Sequence, residues 1–292
     1  MTSDSILKIE HLSHRYSVQW AVRDISLEIP RRGIYGLLGS NGAGKSTMMN
    51  IICGVLRQTE GDVFVHGVNT KTDPIAAKRH IGFLPQKPPL YEELTVEEYL
   101  RHAADVRDME VRDRKRAIDE VLEICSIAHF RKRLLRNLSG GYQQRVGIAQ
   151  AIIHHPELVI FDEPTNGLDP NQIIEIRRLI KDIAEERTVI LSTHILSEVQ
   201  ATCDEIFMIE QGKLIFTGSV EEFDNYIVPS TLLLRFGTMP DLELLRRVPG
   251  VQEIDDLGAN QYRVHFSDAQ ELTDQVVLLS GQHSWHLQEM IL

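Results

Sequence analysis

Gly39-Ser40-Asn41-Gly42-Ala43-Gly44-Lys45-Ser46-Thr47 decides the fold. The stretch fits the pattern Gly-x-x-x-x-Gly-Lys-[Ser/Thr]. It stands between an apolar run, Gly33-Ile34-Tyr35-Gly36-Leu37-Leu38, that reads as a buried strand and Met48-Met49-Asn50-Ile51-Ile52, which continues as a helix. In that setting glycines let backbone N–H groups curl around phosphate oxygens, and the helix N-terminus adds the positive end of its dipole. Lys45 is placed to reach the β- and γ-phosphates of a nucleotide. The Ser46 hydroxyl is placed to ligate magnesium, and Thr47 to help hold the phosphates. A mere glycine-rich turn has little use for Lys-Ser at this spacing, so the expectation is an α/β nucleotide-binding core.

Two further segments supply chemistry. Leu158-Val159-Ile160-Phe161 is an apolar run ending in Asp162 and Glu163, the pattern of a strand buried on both faces whose acids emerge at the carboxyl end, where open parallel sheets bind ligands. Asp162 is expected to hold magnesium through water and Glu163 to polarise the water that attacks the γ-phosphate. Val189-Ile190-Leu191 reads as the neighbouring strand, and His194 just beyond it could bond the γ-phosphate and the attacking water. On local grounds His194 could instead cap a helix starting near Leu196.

Leu138-Ser139-Gly140-Gly141 has no evident task beside these segments. Ser139 and the glycines open a helix containing Gln143, Gln144 and Arg145, a second helix N-terminus that reads as built to face an anion. With Gln86 after Phe83-Leu84-Pro85 and the loop Asn166-Gly167-Leu168-Asp169, the set resembles the ATP-binding subunit of an ATP-binding cassette (ABC) transporter over residues 1 to about 220. The resemblance implies a P-loop NTPase core with an antiparallel β subdomain and a helical subdomain at about 88–156, together a domain of 1–219. It implies ATP and Mg2+ as ligands and a head-to-tail homodimer in which Ser139, Gly140 and Gly141 complete the ATP site of the opposite subunit. Asp169 would sit across that interface, beside the other catalytic site. Gln86 would touch magnesium or the attacking water, and Tyr16 would stack on adenine, with Trp20 as a rival. The catalytic set so implied is Lys45, Gln86, Glu163 and His194. Where the family commonly has Gln directly after the signature glycines, this chain has Tyr142, a version similar to subunits of bacterial exporters.

Composition agrees with a globular ATPase. The 292 residues are 42% hydrophobic, ample for a core, and the formal charge of −11 argues against broad nucleic-acid binding. The runs Arg112 to Arg116 and Arg131-Lys132-Arg133 therefore read as solvated helix faces. A soluble cassette acting on nucleic acid or ribosomes is the competing reading, disfavoured by this acidity. A catalytically silent regulator is disfavoured by Glu163 and His194. Cys53, Cys125 and Cys203 are widely separated and odd in number, which fits free thiols in a reducing compartment. His154-His155 before Pro156 reads as a helix end. The start Met1-Thr2-Ser3-Asp4-Ser5 is acidic where a signal peptide would be basic, and no apolar run approaches the roughly 18 residues of a membrane span. A cytoplasmic chain, peripheral on the membrane and partnered by a separate transmembrane permease, is the expectation.

Short alternating pieces over 6 to 35, and Val63-Phe64-Val65, predict antiparallel strands, and Leu94 to Ala128 turns helical. Residues 220–292 predict a further α+β domain, for dimerisation or regulation. Its order is a strand at Leu232 to Phe236, a helix at Asp241 to Arg247, a hairpin around Gly258, a helix at Ala269 to Leu279 and a strand at His286 to Met290.

Overall fold

The computed structural model describes residues 5–226, 231–266 and 269–291; the acidic stretch Met1 to Asp4 lies outside them. The chain forms two compact units, Met1–Phe223 and Asp224–Leu292.

In the first unit β1 (Leu7–Tyr16), β2 (Gln19–Ile29) and β3 (Ile34–Leu38) lead through the glycine loop into α1 (Lys45–Ile52). Then follow β4 (Glu60–Val65), β5 (Val68–Asn69), α2 (Pro74–Arg79), β6 (Ile81–Leu84), α3 (Val96–Val106), α4 (Val111–Ile124) and α5 (Gly140–Ile152). The unit closes with β7 (Leu158–Asp162), α6 (Pro170–Ala184), β8 (Thr188–Thr193), α7 (Leu196–Thr202), β9 (Glu205–Glu210), β10 (Lys213–Ser219) and the first four residues of α8 (Val220–Tyr226). The stretch expected to be helical from Leu94 to Ala128 holds two helices, α3 and α4. Arg107 ends α3 with its N–H on the Ala103 carbonyl, Asp108 takes a left-handed φ of 54°, and α4 starts after Glu110.

Six strands form the central sheet in the order β10-β9-β3-β8-β7-β6, in which β9, β3, β8, β7 and β6 run parallel and β10 is an antiparallel edge. Every residue of β3, β7 and β8 is buried, which is why these strands read as unbroken apolar runs. Successive side chains enter opposite cores. Val159, Phe161, Val189 and Leu191 join the layer of α3 to α7, whereas Leu158, Ile160 and Ile190 join α1 and the second sheet, β2-β1-β4-β5. Both cores converge on the carboxyl edge of β3, β7 and β8, where the glycine loop, the two acids and His194 emerge.

In the second unit β11 (Thr231–Phe236), α9 (Leu242–Arg246), β12 (Val251–Gly258), β13 (Gln261–Phe266), α10 (Ala269–Gln282) and β14 (Leu287–Ile291) make an antiparallel sheet ordered β12-β13-β11-β14. Leu232, Leu234, Phe236, Tyr262, Val264 and Trp285 belong to its own core.

Candidate functional site

A cavity of about 670 Å³ lies over the start of α1, lined by the glycine loop and α1 from one side, by Gln86, Glu163, Asn166 and His194 from another, and by Tyr16, Gln19, Trp20 and Ala21 at its outer rim. The loop is shaped by its glycines. Gly44 has φ 110°, and a Cβ there would stand 2.5 Å from the Ala21 carbonyl; a Cβ on Gly39 would stand 2.3 Å from the Ile209 carbonyl. Only glycine permits these approaches. Ala43 is buried beneath the loop, and its N–H donates to the Ser40 carbonyl at 3.1 Å. Asn41 and Gly42 line the cavity, as do Ser46 and Thr47.

Lys45 is buried and donates Nζ–H bonds to the carbonyls of Gly39 at 2.8 Å and Ser40 at 3.1 Å. Burial pulls its pKa below the ordinary lysine value, opposed by the charges of Glu163 and Asp162. Its ammonium lies 4.0 Å from Glu163 Oε1, within reach of whatever anion enters between them.

Glu163 is the most constrained side chain of the site. Its backbone takes the left-handed φ of 48°, a conformation costing a non-glycine residue about 1–2 kcal/mol. Three side chains hold its carboxylate. Gln86 Nε2 donates to Oε2 at 3.1 Å, Asn166 Nδ2 donates to Oε2 at 3.2 Å, and His194 Nδ1 stands 3.2 Å from Oε1. Helix α7 takes Ile195 as its N-cap, so His194 faces the acid and caps nothing. Asp162 is buried below. Its Oδ1 accepts from Ser46 Oγ at 3.3 Å and from Ser192 Oγ at 2.5 Å, a hydroxyl and carboxylate donor set suited to a hard cation.

Tyr16 is half exposed at the rim, its ring edge-on to buried His14 at 4.8 Å. Trp20 stands nearby with the Arg15 guanidinium 5.6 Å from its ring centroid. A neighbouring depression of about 730 Å³ shares Gln19 and Trp20 but contains no part of the glycine loop.

Ser139, Gly140, Gly141 and Asp169 are not among the residues lining this cavity. Ser139 is the N-cap residue of α5, and Gly141 lets α5 approach α6, since a Cβ there would stand 2.7 Å from Gln172 Cδ. Gln143, Gln144 and Arg145, in the helix that Ser139 and the glycines open, take no part in that exposed end. They donate to the carbonyls of Leu135, Pro164 and Cys125, at 3.1, 2.8 and 2.9 Å, which turns them back into their own subunit. Asp169 caps α6, its Oδ1 accepting from the N–H groups of Asn171 and Gln172 at 3.0 Å.

Reading the sequence missed two residues. Ser192 pairs with Asp162 in the β7–β8 register and also accepts the Glu163 N–H at 2.9 Å. Its signal was the alignment of two strands ending at one edge. Asn166, three residues beyond Glu163, stood in a recognised loop but without a role.

Residues 22–166 match the family model described as ABC transporter. The bacitracin transport ATP-binding protein BcrA of Bacillus licheniformis is 41% identical over 213 residues, which cover 72% of this chain and 69% of that protein. The lipopolysaccharide export system ATP-binding protein LptB of Haemophilus influenzae is 35% identical over 225 residues, 76% of this chain and 93% of that protein. The dimeric structure of a post-hydrolysis state of the ATP-binding cassette MJ0796, bound to ADP and Pi, superposes with a TM-score of 0.66 at 27% identity, covering 73% of this chain and 98% of that one. The carboxyl-edge site over a glycine loop and these relatives lead to one conclusion: the chain belongs to the ABC transporter family, as an ATP-binding, ATP-hydrolysing subunit.

Proposed function

We propose that this chain hydrolyses ATP within a head-to-tail homodimer on the cytoplasmic face of a membrane and thereby drives export through a separate transmembrane protein. The observation that carries the reading is Glu163, held in a strained backbone between Gln86, Asn166 and His194, opposite Lys45 and above the Ser46–Asp162 pair. The lean to export follows the name of one relative, a lipopolysaccharide export system protein; the other is named for bacitracin transport. Among the described residues no helix is long and apolar enough to cross a membrane, which agrees with a separate membrane partner.

In this reading Tyr16 stacks on adenine, and residues Gly39 to Thr47 wrap the phosphates. Lys45 exchanges its two backbone carbonyls for phosphate oxygens, a change favoured because the oxygens carry full charge. Ser46 and Asp162 hold Mg2+, which when bound neutralises phosphate charge. Glu163 orients and polarises the attacking water and takes its proton, while Gln86 and His194 fix the angle of that carboxylate. Ser139, Gly140 and Gly141 serve the nucleotide of the second copy, and Asp169 lies near that interface.

The test is Glu163→Gln. The variant is expected to bind ATP, to lose turnover by at least about a hundred-fold, and to accumulate as an ATP-bound dimer by light scattering. Lys45→Ala is expected to lose both ATP binding and dimer. Hydrolysis at the normal rate by Glu163→Gln would remove Glu163 from its proposed role.

A further inference from the structure

The α5 helix begins without the cap that its sequence offers. Ser139 has the extended N-cap backbone, φ −66° and ψ 160°, yet its hydroxyl accepts no N–H from the first turn, and only its carbonyl is engaged, by the Gln143 N–H at 2.9 Å. A Ser-x-x-Glu/Gln sequence would close this end reciprocally, the third residue bonding back to the N-cap N–H. Here the third residue is Tyr142, whose side chain has no carboxylate or amide to close such a box. A Cβ on Gly140 would meet nothing within 4 Å, so the helix end stays open to its surroundings.

What holds the first turn instead is an aromatic anchor. The Tyr142 ring stands edge-on to Phe130, with centroids 4.5 Å apart and planes at 73°, and His129 lies 6.0 Å away at 85°. The Arg133 guanidinium lies 5.2 Å from the Phe130 ring centroid. Gln143 and Arg145 add bonds to the carbonyls of Leu135 and Cys125. All these contacts lead to one segment, residues 125–135, just after α4.

We propose that Tyr142 is a positioning residue for phosphate recognition. By packing edge-on against Phe130 it fixes the first turn of α5, which consumes no hydrogen-bond donor. The Ser139 hydroxyl and the first N–H groups are thereby kept free and aimed for the nucleotide carried by a second copy. The inference rests on the head-to-tail reading above, and its test separates the two.

In the full-length chain carrying Glu163→Gln, ATP-dependent dimerisation is followed by ultracentrifugation, and ATP affinity is measured at concentrations where the chain is monomeric. Tyr142→Ala and Phe130→Ala are each expected to weaken dimerisation about ten-fold, the upper end of what an aromatic pair contributes, with monomer affinity unchanged within about two-fold. Tyr142→Phe should restore dimerisation, since the ring and not the hydroxyl does the work. The double alanine variant should be no worse than either single one. Tyr142→Leu, which keeps bulk, guards against a variant that fails to fold. Normal dimerisation by Tyr142→Ala overturns the proposal, as does a defect in Tyr142→Ala that Phe130→Ala lacks. A parallel loss of melting temperature and monomer affinity in every variant would reduce Tyr142 to a structural role and also overturn it. If instead Ser139→Ala dimerises normally, the head-to-tail reading itself fails, whatever Tyr142 does.

Discussion

Ser192 Oγ lies 2.5 Å from Asp162 Oδ1 and accepts the backbone N–H of Glu163 at 2.9 Å, so a single hydroxyl on β8 fastens both acids at the end of β7. Ser192 is fully buried, and no solvent can take its place. Its position follows from the parallel register that sets it opposite Asp162.

Ser192→Ala is therefore expected to leave the Glu163 N–H unpaired, at a cost of about 1–3 kcal/mol. It also frees the carboxylate of Asp162 to rotate away from Ser46. Turnover should fall about ten-fold or more through misplacement of the two acids, and the magnesium concentration for half-maximal hydrolysis should rise. Unchanged magnesium dependence and turnover in steady-state assays would mean that Ser192 merely fills space.

Two glycines of the phosphate loop should respond differently to a methyl group. Gly44→Ala combines a φ of 110° with a contact of 2.5 Å to the backbone of Ala21, which cannot rotate away. A loss above about 2 kcal/mol is expected, because strain and overlap add. Gly42→Ala has a φ of 84° but nothing within 4 Å, so only the conformational cost of about 1–2 kcal/mol applies. Thermal unfolding of the nucleotide-free chain separates the two. Equal melting temperatures would contradict the contact at Ala21.

Asp169 has one observed task, and the proposed homodimer would give it a second. Its carboxylate caps α6, where Pro170 already fixes the first helical φ. Asp169→Ala should cost about 1 kcal/mol, or roughly 2–4 °C in melting temperature for a unit of this size. Asp169→Asn keeps the cap acceptor and should melt like the parent chain. A change in ATP turnover with Asn would support the proposed place of its charge near a dimer interface, and an unchanged turnover confines Asp169 to capping.

The elements that carry chemistry were legible because each is local. The phosphate loop sits between a strand and a helix contiguous with it, and Asp162, Glu163 and His194 each follow a short apolar run whose length favours a buried strand over a helix. Ser192 was not legible in this way, since its partner is 30 residues away and becomes adjacent only through strand pairing. The inward bonds of Gln143, Gln144 and Arg145 were not legible either, since composition does not tell whether polar residues at a helix start turn outward or bond to their own carbonyls. Asp169 shows the converse. Asp before Pro is a local capping signal that stood in the sequence, overshadowed by the resemblance. Where the helical stretch divides into α3 and α4 was not legible, because Arg107 to Glu110 contains neither glycine nor proline, and the turn rests on a left-handed Asp108.

Lys45 gives a pH signature of opposite sign for folding and for binding. Burial holds its pKa below 10.5 in the folded chain, whereas an unfolded chain leaves it near that value. Between the two the unfolded state binds more protons, so the contribution of Lys45 to stability rises with pH across the window below 10.5. Phosphate favours the charged ammonium, so nucleotide binding should take up a proton in the same window, and ATP affinity should fall as pH rises. Chemical unfolding of the parent chain and of Lys45→Met, from neutral pH toward 10.5, should show the stability difference moving in favour of the parent. Calorimetry of ATP binding in two buffers of unlike ionisation enthalpy should show proton uptake growing with pH. Proton release, or a stability difference that declines with pH, would mean that the phosphate loop does not desolvate Lys45.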